Sequence, residues 1–125
     1  MNNKYALFLI LNDVDKLDII LEKLFEIKVG ATVADGVGMS KMLIDHDVEI
    51  PLFSSIRKLI DGDRPFNKII MSVIRDDEKL EKAKEIIMEE LDGIKNPGIG
   101  FMFIMPVLEC YGFGVSKEEE KKIKN

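Results

Sequence analysis

Three segments of this chain are apolar on both faces of any strand they form. In Tyr5–Leu11, the alternating sets are Tyr5, Leu7, Leu9, Leu11 and Ala6, Phe8, Ile10. Residues 68–74 set Ile69, Met71 and Val73 against Ile70, Ser72 and Ile74. Residues 101–105 set Phe101, Phe103 and Met105 against Met102 and Ile104. Successive side chains of a strand point to opposite faces, so a sheet built from these strands needs cover on both sides. One layer of helices supplies one cover, and the simplest second cover is another copy of the chain. An uncovered apolar face of this size would be an aggregation hazard. A homo-oligomer is therefore expected.

The segments between these strands are helical or strand-like in turn. After Asn12-Asp13, with Asp13 as a candidate N-cap, Val14, Leu17, Ile20, Leu21, Leu24 and Ile27 recur at helical spacing and predict a helix over 14–28. Gly30 is expected to stop it, and residues 31–37 to form a second strand. Residues 39–50 mix charges and aliphatics without a clean period and read as a mobile loop. Pro51, Phe53, Ile56, Leu59 and Ile60 suggest a short helix, followed by a turn at Asp61-Gly62-Asp63-Arg64-Pro65. Asp76 or Asp77 opens a second long helix, with Leu80, Ala83, Ile86, Ile87 and Leu91 on one face and Gly93 at its end. The order is β-α-β, loop, β-α-β, the split-βαβ or ferredoxin-like arrangement of the α+β class. Both helices would cover one face of a four-stranded antiparallel sheet. Residues 1–114 read as one domain, and 115–125 as a charged tail.

The chain has 125 residues, 46% hydrophobic and 33% charged, which suits one packed domain. Its net charge of −5 argues against broad nucleic-acid binding, which needs a basic face. A small anion site made by backbone N–H groups remains compatible with that charge. The single cysteine, Cys110, excludes a disulfide within the chain, and neither it nor the single histidine, His46, belongs to a zinc-like cluster. The apolar run Tyr5–Leu11 is too short to span a bilayer, so no membrane insertion and a cytoplasmic location are expected.

Two glycine segments sit where strands meet loops. One is Gly30-Ala31-Thr32-Val33-Ala34-Asp35-Gly36-Val37-Gly38; the other is Gly98-Ile99-Gly100, followed by Phe101-Met102-Phe103-Ile104-Met105-Pro106-Val107. With the doubled βαβ order, these segments resemble the PII signal-transduction family over roughly residues 4–113. Gly30-Ala31-Thr32-Val33 looks like that family's helix exit and second strand. Gly36-Val37-Gly38 sits where its long T-loop begins, which makes 39–50 T-loop-like. Gly98-Ile99-Gly100 looks like its B-loop. The resemblance implies a trimer in which these loops, from neighbouring subunits, line a cleft for adenine nucleotides such as ATP, ADP or AMP. The T-loop would then engage a protein partner. The implied ligand-binding set is Thr32, Gly36, Val37, Gly38, Lys41, Gly98, Ile99 and Gly100. On this basis a bulky residue at Gly100 would remove ligand binding and leave the oligomer intact.

The chain departs from the family at marked positions. Phe101 stands where classical members place a phosphate-holding lysine, and Leu108-Glu109-Cys110-Tyr111 carries none of their arginines. Ser40 and Lys41 occupy the region of the glutamine used with 2-oxoglutarate and magnesium. The loop after Gly38 has no tyrosine to be uridylylated. A small anionic effector other than a nucleotide therefore stays open. The competing reading is a CutA-like trimer that binds divalent metal, favoured only by Asp45-His46-Asp47 and Glu49. Bland readings stand beside the sharp ones: the glycines could serve only bulges and turns, and Lys41, Arg57, Lys58 and Arg64 could be solvated surface charges. No nucleophile is paired with a base, so no catalytic residue and no enzyme activity are expected.

Overall fold

The computed structural model describes residues 3–45, 66–96 and 98–112. Four strands form one antiparallel sheet: β1 (Tyr5–Leu11), β2 (Thr32–Val37), β3 (Phe66–Ile74) and β4 (Gly100–Pro106), in the order β2-β3-β1-β4. Among the described residues three α-helices accompany them: α1 (Leu17–Glu26), α2 (Met39–Asp45) and α3 (Asp77–Glu90). The α+β, ferredoxin-like arrangement expected from the alternation is the one observed. The short helix expected after Pro51, the turn at 61–65 and the tail at 115–125 lie outside the described residues.

Strand register divides the side chains as the two-residue period requires. Leu9 faces Ile70 on one side and Met102 on the other, and Leu7 faces Ser72 and Ile104. These residues join Ile20, Leu24, Leu80, Ala83, Ile87 and Leu91 of the helical layer in one core. Leu9, Leu11, Ile20, Ile70, Ala83 and Ile87 are fully buried. The other face carries Phe8 opposite Met71 and Phe103, and Ile10 opposite Ile69 and Phe101. The Phe8 and Phe103 rings stack at 4.8 Å, and Phe101 tilts against Phe103 at 5.7 Å. Phe101 is 60% exposed and Met105 49% exposed, so this face has no cover within the described chain.

Helix ends explain the differences from the sequence-based bounds. α1 is preceded by a 3-10 turn at Val14–Lys16, where Asp13 makes no side-chain cap bond. It ends at Glu26, well before Gly30, and Lys28 just beyond takes a left-handed φ of 63°. The Lys28 and Val29 amides then donate to the Phe25 and Leu24 carbonyls, each at 2.9 Å, the Schellman pattern. Asp76 caps α3 by accepting from the Glu78 and Lys79 amides at 2.8 and 3.2 Å. The expected loop after Gly38 begins instead as α2, a seven-residue helix. Met39, Met42 and Leu43 do keep helical spacing, but over two turns such a pattern is indistinguishable from chance.

Lys23 of α1 and Glu90 of α3 form an ion pair that ties the two helices together. The Lys23 hydrogen bond holds the Glu90 carboxyl below the usual glutamate range. The same bond raises Lys23 above the usual lysine range. The Glu90 contribution is present above the unfolded carboxyl pKa and is lost as pH falls through the lower folded value. That of Lys23 is present below the unfolded lysine pKa and is lost as pH rises through the higher folded value. Glu90→Gln is expected to flatten the acid limb of a melting-temperature profile between about pH 6 and pH 3. Wild-type and variant curves that stay parallel over that range would show that the pair contributes nothing.

Candidate ligand-binding site

The glycines after the second strand lie at one corner of the sheet. Gly36 and Val37 end β2, opposite Asn67 and Phe66 of β3. The Gly38 carbonyl follows and accepts from the Met42 amide at 3.2 Å, opening α2. Lys41 lies within α2 and already has an interaction in the chain. A Cβ built on Gly36 would overlap the Asn67 Oδ1 and press on Ile69 Cδ1 at 3.0 Å. A side chain at 36 would therefore collide with the amide folded over it. That Asn67 oxygen is buried and accepts no hydrogen bond.

The second glycine segment is held from behind. Asn96 Oδ1 accepts from the Gly98 amide at 2.9 Å, and the Asn96 carbonyl accepts from the Ile99 amide at 3.0 Å. The Ile99 carbonyl accepts from the Asn12 and Asp13 amides at 2.9 and 3.0 Å, pinning the loop to the end of β1. Gly100 opens β4 opposite Leu11 and is buried. A Cβ there would stand 3.0 Å from the Ile10 carbonyl oxygen and 3.7 Å from Leu11 Cα. Strand packing alone therefore demands glycine at 100. Replacing it strains the sheet as well as any ligand site, contrary to the expectation that such a change spares the rest of the molecule.

The two segments share an end of the sheet but not an edge. Asp35, Lys68, Leu11 and Gly100 form one cross-sheet row through β2, β3, β1 and β4. Three inter-strand spacings of about 4.8 Å separate the outer members, roughly 14 Å. Within one chain, Gly36-Val37-Gly38 and Gly98-Ile99-Gly100 do not meet. A second copy that brings its β4 start to this β2 end would join them.

Thr32 stands apart from the other seven residues, at the opposite end of β2. β2 pairs with β3 only from Thr32 opposite Met71, while β3 runs on to Ile74. The unpaired stretch leaves a notch, where Ser72 Oγ donates to the Gly30 carbonyl at 2.6 Å. A cleft of about 890 Å³ opens there, with Thr32, Phe8, Met71 and Val73 as one wall. Lys28, Arg75 and Lys79 bring three cations to the same cleft against the single carboxylate of Asp76. The apolar wall was legible as the second strand face, but its convergence with these cations was not. Lys28 arrives through its left-handed turn, Arg75 at the exit of β3, and Lys79 in the first turn of α3. Among the described residues no group of histidine, cysteine and carboxylate side chains could hold a metal. His46, Asp47 and Glu49 lie outside those residues. No helix among them is long and apolar enough to cross a membrane.

No protein-family model and no curated protein matches the chain. Solved structures do. The crystal structure of Arabidopsis thaliana PII bound to citrate superposes with a TM-score of 0.52 at 20% identity. The match covers 85% of this chain and 78% of that one. The chain has the PII-like fold. At this identity the likeness establishes architecture alone, and within the PII-like fold the contents of the site depend on this chain's own residues.

Proposed function

We propose that this chain is a PII-like regulatory protein without enzymatic activity. It binds a small anionic effector between copies of itself and signals occupancy to a protein partner. The carrying observation is the placement of the two glycine segments at one end of the sheet on opposite edges. Neither makes a site alone, and each offers close backbone approach to a ligand held by a neighbouring copy. The uncovered face around Phe8, Phe101 and Phe103 supports the assembly, which the fold suggests is a trimer. The α2 segment, directly after Gly38, is the element that a ligand at the β2 end would shift in population. Adenine nucleotides are the first effector class, with Gly36, Val37, Gly38, Lys41, Gly98, Ile99 and Gly100 as the binding set, and Thr32, at the other end of β2, outside it. The similar PII structure holds citrate, which is also a small anion. A cytoplasmic location follows from this role.

The test is a thermal-unfolding panel on purified protein with ATP, ADP, AMP, cyclic AMP, citrate, 2-oxoglutarate, bicarbonate and divalent metals, singly and with magnesium. A ligand at a hundred times its dissociation constant stabilises the native state by about 2.7 kcal/mol, a readable shift. A shift with a nucleotide or a carboxylate is the expected result. A shift with metal alone would replace this reading by the CutA-like one, and no shift with any of them would overturn it.

A further inference from the structure

We propose that Asn67 is a gate on the Gly36 end of the site, and that it admits ligands presenting a neutral polar edge. This rests on the reading that the end of β2 meets the ligand. Three observations carry it. The Asn67 carboxamide fills the space that Gly36 leaves by lacking a side chain. Its oxygen is buried there with no hydrogen-bond donor. On the same sheet face Ile69 follows Asn67 along β3, with Ile10 of β1 beside Ile69.

An unpaired buried acceptor destabilises the fold, and leucine, with the same branching at Cγ, would fill the space without that cost. A residue that is poor for stability at the mouth of a candidate site points to a role in binding. With the amide folded down, a ligand cannot lie against the β2 backbone at Gly36. With the amide swung out, that backbone opens and the carboxamide gains the partner it lacks. A carboxamide offers one acceptor and two donors and carries no charge. It therefore pairs with an amide-like or nucleobase-like edge better than with a bare carboxylate or phosphate.

The test is a double-mutant cycle on the full chain, followed by ATP titration. Gly36→Ala alone is expected to lower the unfolding midpoint by about 4–8 °C. In the Asn67→Ala background the same change should cost less than about 2 °C, because the colliding amide is gone. Asn67→Leu should raise the midpoint. Asn67→Ala, which can neither close nor pair, should bind ATP about tenfold more tightly than Asn67→Leu, since no closed state must be displaced. Asn67→Leu, which stays closed and cannot pair, should bind more weakly than wild type. Equal Gly36→Ala shifts in both backgrounds would overturn the gate. So would a lowered midpoint for Asn67→Leu, which would show that the oxygen has a partner in a neighbouring copy. So would wild-type ATP affinity in both Asn67 variants. If neither wild type nor Asn67→Ala binds ATP, the nucleotide reading falls, and the stability cycle still decides whether the amide and Gly36 form the closed state.

Discussion

Gly100→Val lowers the unfolding free energy by about 1–3 kcal/mol, the usual cost of forcing extra atoms into a closed space. The obstacle is backbone. A Cβ at this position stands 3.0 Å from the Ile10 carbonyl and 3.7 Å from Leu11 Cα, at the last pair of the β1–β4 ladder. Neither atom can rotate away as a side-chain tip could. The internal control is Gly30→Ala. Nothing lies within 4 Å of a Cβ at Gly30, so that change is neutral or slightly stabilising, by up to about 1 kcal/mol through the unfolded chain. Thermal or denaturant unfolding of the two variants reads the contrast directly. Equal midpoints would mean that the β1–β4 register differs from the one described. Because Gly100 is packed against backbone, any loss of ligand binding in its variants must be corrected for loss of fold. Asn67, whose contact with the space at Gly36 is made by side-chain atoms, is the cleaner probe of the site.

Phe103→Glu breaks the proposed self-association. Phe103 sits on the uncovered sheet face, stacked on Phe8 and tilted against Phe101, at the middle of the apolar surface. An ionised carboxylate buried there without a partner costs more than a contact of ordinary size can offset. Loss of a central aromatic anchor alone is worth about 2 kcal/mol or more, roughly a thirtyfold rise in the dissociation constant. Light scattering coupled to size exclusion should show wild-type protein as an oligomer and the variant at the mass of one chain. Phe103→Leu, which keeps the face apolar, should retain the assembly even though it gives up the ring stack. A wild-type protein that is monomeric at micromolar concentration would remove both the assembly and the inter-copy site. A Phe103→Glu variant that keeps the wild-type mass would place the contact elsewhere on the molecule.

The two results read different parts of the chemistry. Gly100 reports whether the β4 start is held as a strand, and Phe103 reports what covers the face beside it. Both bear on the proposed site, because a ligand joined to Gly98-Ile99-Gly100 of one copy and Gly36-Val37-Gly38 of another needs that face closed. The 14 Å between the segments in a single chain makes the dependence strict.

The local alternation of apolar residues was enough to read the bounds of β1, to place the other strands within two residues, and to assign the facing sets of β1, β3 and β4. Strand faces follow from a period of two that each segment carries by itself. The α3 start was legible for the same reason, since Asp76 bonds only to amides two and three residues on. The need for a cover on both sides of the sheet could also be read without coordinates. Tertiary structure decided the rest. The α1 stop at Glu26 depends on a left-handed turn that Lys28 adopts in place of the expected glycine. The position of Asn67 over Gly36 exists only because β3 begins at Phe66 and pairs with the end of β2. The cleft beside Thr32 exists because β3 outruns β2 by three residues. Faces are set within a segment, whereas edges, rows and clefts are set by which segments lie side by side. That is decided by contacts between residues far apart in the chain.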